Sequence, residues 1–337
     1  MSRWPALGFL AAVLFLGCSS GMACEQAIRM MTFNAWGAGA NNGLGPEGIV
    51  EAIRAAGADV VALQEARAEG EVCEADDCPG AGASRAAEIA AELGFNFHEP
   101  PLDASLNWAN ATLSRYPITG TDPGGAGVYL DIEGRQVAVF NIHLTDYPYQ
   151  PYQALGIPYG DAPFLDQGSE LAAAASEARG SDIALLASHV NALEGQWTVI
   201  IAGDFNEPSH LDWTAAAAES GRHPLAVEFP SILTLERLGF IDTYRAMHPD
   251  ELSHPGFTWT PAVSENDPEE HQDRIDYILV RGAGVELAGA WVVGESPEKA
   301  DIVVQPWISD HRAVVSEIRL PDSPALTPCS ESPTQSP

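Results

Sequence analysis

Positive charge is almost missing from this sequence. Lys299 is the one lysine, and lysine plus arginine number 16 against 47 aspartates and glutamates, a formal net charge of −31. A chain so acidic repels polyanions at long range and offers no basic stripe, which counts against tight nucleic-acid binding by counterion release. Charge alone does not exclude a nuclease, because a bound cation can supply positive charge locally. Apolar runs of membrane-spanning length are also lacking; Leu7 to Leu16 is too short to cross a bilayer. None of the five cysteines forms a CxxC pair, which argues against a structural zinc site. There is no internal repeat and no collagen-like or coiled-coil composition, while 46% apolar residues suffice for a sizeable core.

The ends of the chain read as processing and tail segments. Arg3 followed by the apolar run fits a signal peptide over residues 1–23. Two cleavage patterns compete. Gly21-Met22-Ala23 before Cys24 fits a small-x-small site, whereas Phe15-Leu16-Gly17-Cys18 resembles a bacterial lipoprotein box. In the second case a lipid on Cys18 would be the one membrane contact. Both imply export, to an extracellular, periplasmic or cell-surface location. With Cys18 removed or lipidated, four cysteines remain, and the expected disulfides are Cys73–Cys78 and Cys24–Cys329. From Pro321 the chain is rich in Pro, Ser and Thr, so 321–337 is expected to be a disordered tail. The body, 24–320, is read as one domain, expected to be monomeric.

Apolar, β-prone stretches predict strands over 28–35, 58–65, 110–114, 128–132, 136–144, 197–202, 274–280, 290–293 and 313–319. Helices are expected over 46–56, 84–94, 169–193 (broken at Gly180), 212–219 and 230–238, with Pro46 and Ser84 near starts and Gly94 at an end. Gly37 to Gly48 reads as a glycine-rich loop. Several strands adjoin across short turns, so sheets inside and helices outside fit better than a purely parallel doubly wound sheet. Residues 146–168 interleave Tyr147, Tyr149, Tyr152, Tyr159 and Phe164 with Pro148, Pro151, Pro158 and Pro163. That proline density argues against helix and central strand, leaving an ordered surface loop.

Strand after strand ends in a polar residue. Asn34, Glu65, His143, Asp204 with Asn206, Asp276, and Asp310 with His311 all sit at expected strand ends. Carboxylates, amides and imidazoles converging on one sheet rim would bind a hard cation beside acid–base groups. Singly, each reads as an ordinary strand end or Asx turn.

Together, the segments TFNAW, LQE, NIHL, GDFN, RIDYIL and SDH resemble, in order, the endonuclease/exonuclease/phosphatase superfamily of deoxyribonuclease-I-like fold. Asn110 to Ile118 resembles its middle strand and Phe257-Thr258-Trp259 its short segment before RIDYIL, so the likeness spans roughly residues 28–320. It implies an α/β fold: a four-layer α/β/β/α sandwich of two mixed, mainly antiparallel sheets flanked by helices. It also implies a metal-dependent hydrolase of phosphoester bonds. Glu65, Asn34 and Asp310 would hold Mg²⁺ or Mn²⁺, with Ca²⁺ an alternative. Asp204 and Asn206 would orient water, His311 paired with Asp276 would act as base or charge clamp, and His143 would meet a phosphate oxygen or the leaving group.

Substrate choice is less defined. GDFNEPSHLDW departs from the inositol 5-phosphatase pattern, and few basic residues are available for the loops of the abasic-site nucleases. The expected substrates are small or lipid-derived phosphodiesters; a secreted nuclease is the alternative, and a non-catalytic binding module the third reading. Asn110, Tyr147, Tyr149 and Trp259 are the expected substrate contacts. Because 146–168 begins just past His143, it should overhang the rim, its tyrosines forming a lid or a packed Ω-loop.

Overall fold

The computed structural model describes residues 26–67, 84–101, 106, 109–193, 195–264 and 267–321. The leader with Cys18, the cysteines at 24, 73, 78 and 329, and the tail beyond 321 lie outside the described residues. Thirteen strands build two sheets among the described residues. In chain order they are β1 (Gln26–Asn34), β2 (Val60–Gln64), β3 (Asn96–His98), β4 (Ala111–Ser114), β5 (Ile118–Thr121), β6 (Gly127–Ile132) and β7 (Arg135–His143). The rest are β8 (Thr198–Asp204), β9 (Ile241–Asp242), β10 (Asp276–Arg281), β11 (Glu286–Gly294), β12 (Ile302–Val303) and β13 (Ala313–Leu320). One sheet has the order β12-β11-β13-β1-β2-β4-β3, the other β5-β6-β7-β8-β10-β9. Pairing is mostly antiparallel, but β1 with β2 and β7 with β8 run parallel near the middle of each sheet.

Parallel neighbours need crossovers, and helices supply them. A 3-10 turn over Gly37–Asn42 and helix α1 (Glu47–Ala56) join β1 to β2. After α2 (Ala86–Leu93), helices α3 (Gln150–Leu155) and α4 (Gly168–Asn191) join β7 to β8. Three shorter helices follow: α5 (Ala215–Glu219), α6 (Pro230–Arg237) and α7 (Thr243–Met247).

The four layers follow from side-chain alternation. Ile28 and Met30 of β1 meet Val139, Ile200 and Ile278 of the other sheet in a core between the sheets. Their neighbours Met31 and Phe33 face outward against Ile49 and Ile53 of α1 and Ile89 of α2. In the second sheet Val199 and Ile201 of β8 pack outward on Ile183 and Leu186 of α4 and Ile232 of α6. Covered on both faces, the central strands read in sequence as unbroken apolar runs. The two-sheet sandwich expected from the family resemblance is the architecture observed.

Two local expectations fail for identifiable reasons. Helix α4 runs unbroken through Gly180, whose added Cβ would meet only the Ser176 Cβ, 4.0 Å away. A helical glycine costs about 0.5–1 kcal/mol but forces no break, and the buried stripe Leu171, Ala175, Arg179, Ile183, Leu186 and Val190 outweighs that. In the 146–168 segment, α3 forms despite the prolines. Pro151 sits in its first turn, where no backbone N–H is needed, and left-handed Gly156 ends it before Pro158. No helix among the described residues is long and apolar enough to cross a membrane.

One glycine is dictated by the parallel pairing. A Cβ on Gly203 would lie 2.0 Å from the Ile142 carbonyl oxygen on β7. Gly203→Ala is therefore expected to force β7 and β8 apart and destabilise the protein by about 1–3 kcal/mol or more, read as a lowered urea midpoint at unchanged m-value.

Candidate active site

Strand register gathers the polar residues. In the first sheet Asn34 lies opposite Gln64, so Glu65 follows immediately at the same edge. In the second, His143, Asp204 and Asp276 stand abreast across β7, β8 and β10. β13 runs antiparallel to β1, so Asp310 and His311, just before its start, reach the same rim.

The side chains meet across the gap between the sheets. The Asn34 amide nitrogen donates to Glu65 Oε1 at 2.9 Å and to Asp204 Oδ2 at 3.0 Å, while its oxygen accepts the Trp36 N–H at 3.1 Å. His311 Nδ1 lies 2.9 Å from Asp276 Oδ2, and its Nε2 lies 3.6 Å from Asp204 Oδ2. His143 Nε2 is 3.6 Å from the same Asp204 oxygen and 4.0 Å from Glu65 Oε1. The other Asp204 oxygen accepts the Asn206 backbone N–H at 2.8 Å, and the Asn206 side chain donates to the Leu144 carbonyl at 2.9 Å. Glu65 and Asn206 take φ of 50° and 48°. Asparagine tolerates that left-handed geometry; for a glutamate it costs on the order of 1–3 kcal/mol, so the rim holds a strained backbone at one of its carboxylates.

The electrostatics follow from crowded carboxylates in a dry place. Burial first, then Asp276, raises the Asp204 carboxyl above its usual range, opposed by His311 and His143. Burial raises Asp310 to about 6; His311 opposes this, while Glu65 and Asp204 add to it. Burial alone would lower His311, but Asp276 and Asp204 outweigh it and raise the imidazole to about 10, so it is protonated at neutral pH.

The donor set fits a hard divalent cation. Glu65 Oε2 and Asp310 Oδ1 are buried with no hydrogen-bond partner, and both residues line the same cleft. Unpaired buried carboxylate oxygens are costly, and an oxygen-seeking ion of the Mg²⁺, Mn²⁺ or Ca²⁺ kind would satisfy them. Ligand atoms of Asp204, Asp276 and His311 also lie within 4.8 Å of one another, but the His311–Asp276 hydrogen bond already engages two of these three residues. For Asn34, the third expected ligand, the oxygen accepts the Trp36 N–H and keeps a second lone pair, while its amide nitrogen donates to Glu65 and Asp204.

The cleft has a volume of about 400 Å³, and Trp36, Leu144, Thr145, Asp146 and Trp259 complete its lining around the rim residues. Of the expected substrate contacts, Trp259 is in place, its indole N–H on Glu270 at 3.1 Å and its ring 4.9 Å from that of His311. Three others do not line the cleft. Asn110 is buried and donates to the Asn141 carbonyl at 3.2 Å. Tyr149 is buried, its hydroxyl donating to Asp273 at 2.8 Å. Tyr147 donates to Asp161. The tyrosines of 146–168 therefore brace the cleft from behind: Tyr152 donates to Glu270 and Tyr159 to Asp146. Sequence reasoning missed Trp36 and Asp146 as lining residues, though each stands two or three positions past a rim residue, Asn34 and His143. His210 pairs with Glu236 at 3.0 Å and His189 with Asp122 at 2.9 Å, both away from the cleft lining.

Removing one candidate ligand oxygen tests the cation assignment. Glu65→Gln is expected to weaken Mn²⁺ binding at least about tenfold, measured by titration calorimetry, with the circular dichroism spectrum unchanged.

A model of the Endonuclease/Exonuclease/phosphatase family matches residues 31–311. The chain is similar to uncharacterized protein F14F9.5 of Caenorhabditis elegans, 29% identical over 329 residues, covering 90% of this chain and 96% of that one. Among solved structures it resembles an endonuclease/exonuclease/phosphatase from Bacteroides vulgatus, with TM-score 0.52 and 15% identity over 88% of this chain and 100% of the other. It also resembles an AP endonuclease from Archaeoglobus fulgidus, with TM-score 0.50 and 14% identity over 86% of this chain and 98% of the other. At such identities these two attest the fold alone. The family match reaches from β1 to His311 and so takes in every residue of the rim, and this chain belongs to the endonuclease/exonuclease/phosphatase family.

Proposed function

We propose that this protein is an exported phosphodiesterase that hydrolyses small or lipid-derived phosphodiesters by metal-assisted, in-line attack of water. The observation that carries the reading is the composition of the cleft wall: carboxylates and imidazoles around one point and, among the described residues, no arginine or lysine. Arginines sit elsewhere, engaged in the fold. Arg274 bonds Asp212 and pairs with Asp242, Arg245 also holds Asp212, and Arg312 holds Glu295. A polynucleotide backbone running through the cleft would find no row of lysines or arginines to track. A single phosphodiester needs only one ion and the two imidazoles. The apolar leader and the small-residue sites near Cys18 and Cys24 support export.

In this reading Glu65 and Asp310 would hold the divalent ion, with Asn34 fixing Glu65 against Asp204. When bound, the ion neutralises charge on the phosphoryl oxygens. Asp204 Oδ2 takes a proton from the attacking water, its carboxylate fixed by the Asn206 N–H. His311, kept charged by Asp276, faces the phosphoryl group as an electrostatic clamp. His143 Nε2 meets a non-bridging oxygen or assists the leaving group.

The purified protein is expected to hydrolyse bis-p-nitrophenyl phosphate with Mg²⁺ or Mn²⁺ and to lose that activity in chelator. Asp204→Asn and His311→Gln should each lower kcat by about 10²–10⁴-fold while the protein stays folded by circular dichroism. No turnover with any divalent ion would sink the enzyme reading. Plasmid nicking at rates above those on small diesters would favour a nuclease instead.

A further inference from the structure

The cleft wall beyond the rim residues holds an aromatic–carboxylate set for which metal-assisted attack has no use. Trp36 and Trp259 line the cleft half-buried, and Asp146 lines it with its carboxylate open to solvent. Each is firmly held. The Trp36 backbone N–H is anchored on Asn34 at 3.1 Å, which fixes where its side chain leaves the main chain. Trp259 is tethered by its indole N–H to Glu270, and its ring packs at a tilt against that of His311, 4.9 Å away, while the residue lines the cleft. Glu270 is itself secured by Tyr152 of α3 and by the His271 N–H at 2.8 Å. Asp146 accepts the Tyr159 hydroxyl on one oxygen. The backbone behind it is clamped by Arg179 of α4, which is fully buried and donates to the carbonyls of Thr145 at 2.9 Å and Pro148 at 3.1 Å.

Electron-rich ring faces beside a carboxylate attract a desolvated organic cation. Among the described residues no lysine or arginine lines the cleft, and its two imidazoles, His143 and His311, stand at the rim and not beside Asp146 in the chain. A net charge of −31 also disfavours approach of an anionic substrate, but not of one whose phosphate is balanced by its own positive charge.

Resting on the phosphodiesterase reading above, we propose that Asp146, Trp36 and Trp259 form a cation-selecting subsite. It makes the preferred substrate a zwitterionic phosphodiester, one whose alcohol carries an ammonium group. The phosphate sits at the rim between Glu65, Asp310 and His311, and the ammonium rests against the two indoles and Asp146. Trp36 and Trp259 supply shape and ring-face attraction, and Asp146 discriminates charge.

The test compares two substrates of equal shape: p-nitrophenylphosphorylcholine and p-nitrophenyl 3,3-dimethylbutyl phosphate, in which carbon replaces the quaternary nitrogen. With saturating Mg²⁺ or Mn²⁺, the wild-type full chain is expected to favour the choline diester in kcat/KM by about tenfold or more. The preference should appear mainly in KM and shrink as salt is raised. Asp146→Asn, which keeps the hydrogen bond from Tyr159, should bring the ratio towards one, and Trp259→Leu should lower it. The ratio is read within each variant, so a general loss of activity does not mimic the effect. Equal rates on both diesters in the wild type, or a ratio untouched in Asp146→Asn, overturns the subsite while leaving the phosphodiesterase reading intact. Failure on bis-p-nitrophenyl phosphate as well overturns both.

Discussion

Three carboxylates at strand ends, Glu65, Asp204 and Asp310, face one cleft in a dry environment, and the rest of the structure is arranged to tolerate them. Two buried aspartates away from the rim follow the ordinary rule for buried charge. Asp212 is shared by Arg245 and Arg274, and Asp242 takes Arg274 at 2.8 Å. At the rim that rule is suspended. The positive partner within the chain is a protonated imidazole, His311, and oxygens of Glu65 and Asp310 are left unpaired. Arginines pair with acids elsewhere, but among the described residues none lines this cleft, so a positive charge from outside the chain would complete it. The strained backbone at Glu65 fits this account, since it aims a carboxylate that relaxed geometry would point elsewhere.

What holds the cleft walls is a second set of buried polar contacts that converge from distant parts of the chain. Arg179 reaches from α4 to the carbonyls behind Asp146, donates to Gln150 at 2.6 Å, and lies 3.9 Å from Glu207, which follows Asn206. One side chain thus links the segment after His143 with the segment after Asp204. Asp273 does the same on the opposite wall: it accepts Tyr149 and the Trp213 indole at 2.8 Å each, while its backbone pairs with that of Trp259. These contacts are costly to bury and offer little stability net of desolvation. Their effect is geometric, because both walls are held from outside the sheets.

The part of this design readable from sequence was the part set by strand ends. A parallel pair delivers both C-termini to one edge, and the observed pairing of β1 with β2 and of β7 with β8 is what makes neighbours of Asn34 and Glu65 and of His143 and Asp204. The register then carried Asp276 and His311 to the same place. The walls were illegible because nothing local orients them. Tyr149 looked like a substrate contact by composition, but whether its ring faces the cleft or the core depends on Asp273, 124 residues away. Asp146 passed unnoticed among tyrosines and prolines because its position is fixed by an arginine 33 residues later, in the middle of a helix. Gly180 and Pro151 mislead for a related reason. Local propensity counts a fraction of what a continuous buried stripe or a first-turn position provides, and tertiary packing decides.

Extreme acidity and phosphate chemistry conflict less than the net charge suggests, because the two act over different distances. At physiological ionic strength the field of exposed carboxylates fades within about 8 Å, whereas charges in a half-enclosed cleft are screened far less. The distant acids shape the encounter, slowing polyanions and sparing neutral or zwitterionic molecules. On the proposed reading, binding would then be decided by the few groups at the rim, where a divalent ion together with a protonated His311 would reverse the local sign. On the proposed reading the chain would thus disfavour long anionic polymers by its surface and still stabilise one phosphoryl group at its centre. A site that instead neutralised phosphate with lysines and arginines along its walls would lose that discrimination, since the same residues would recruit any polyanion.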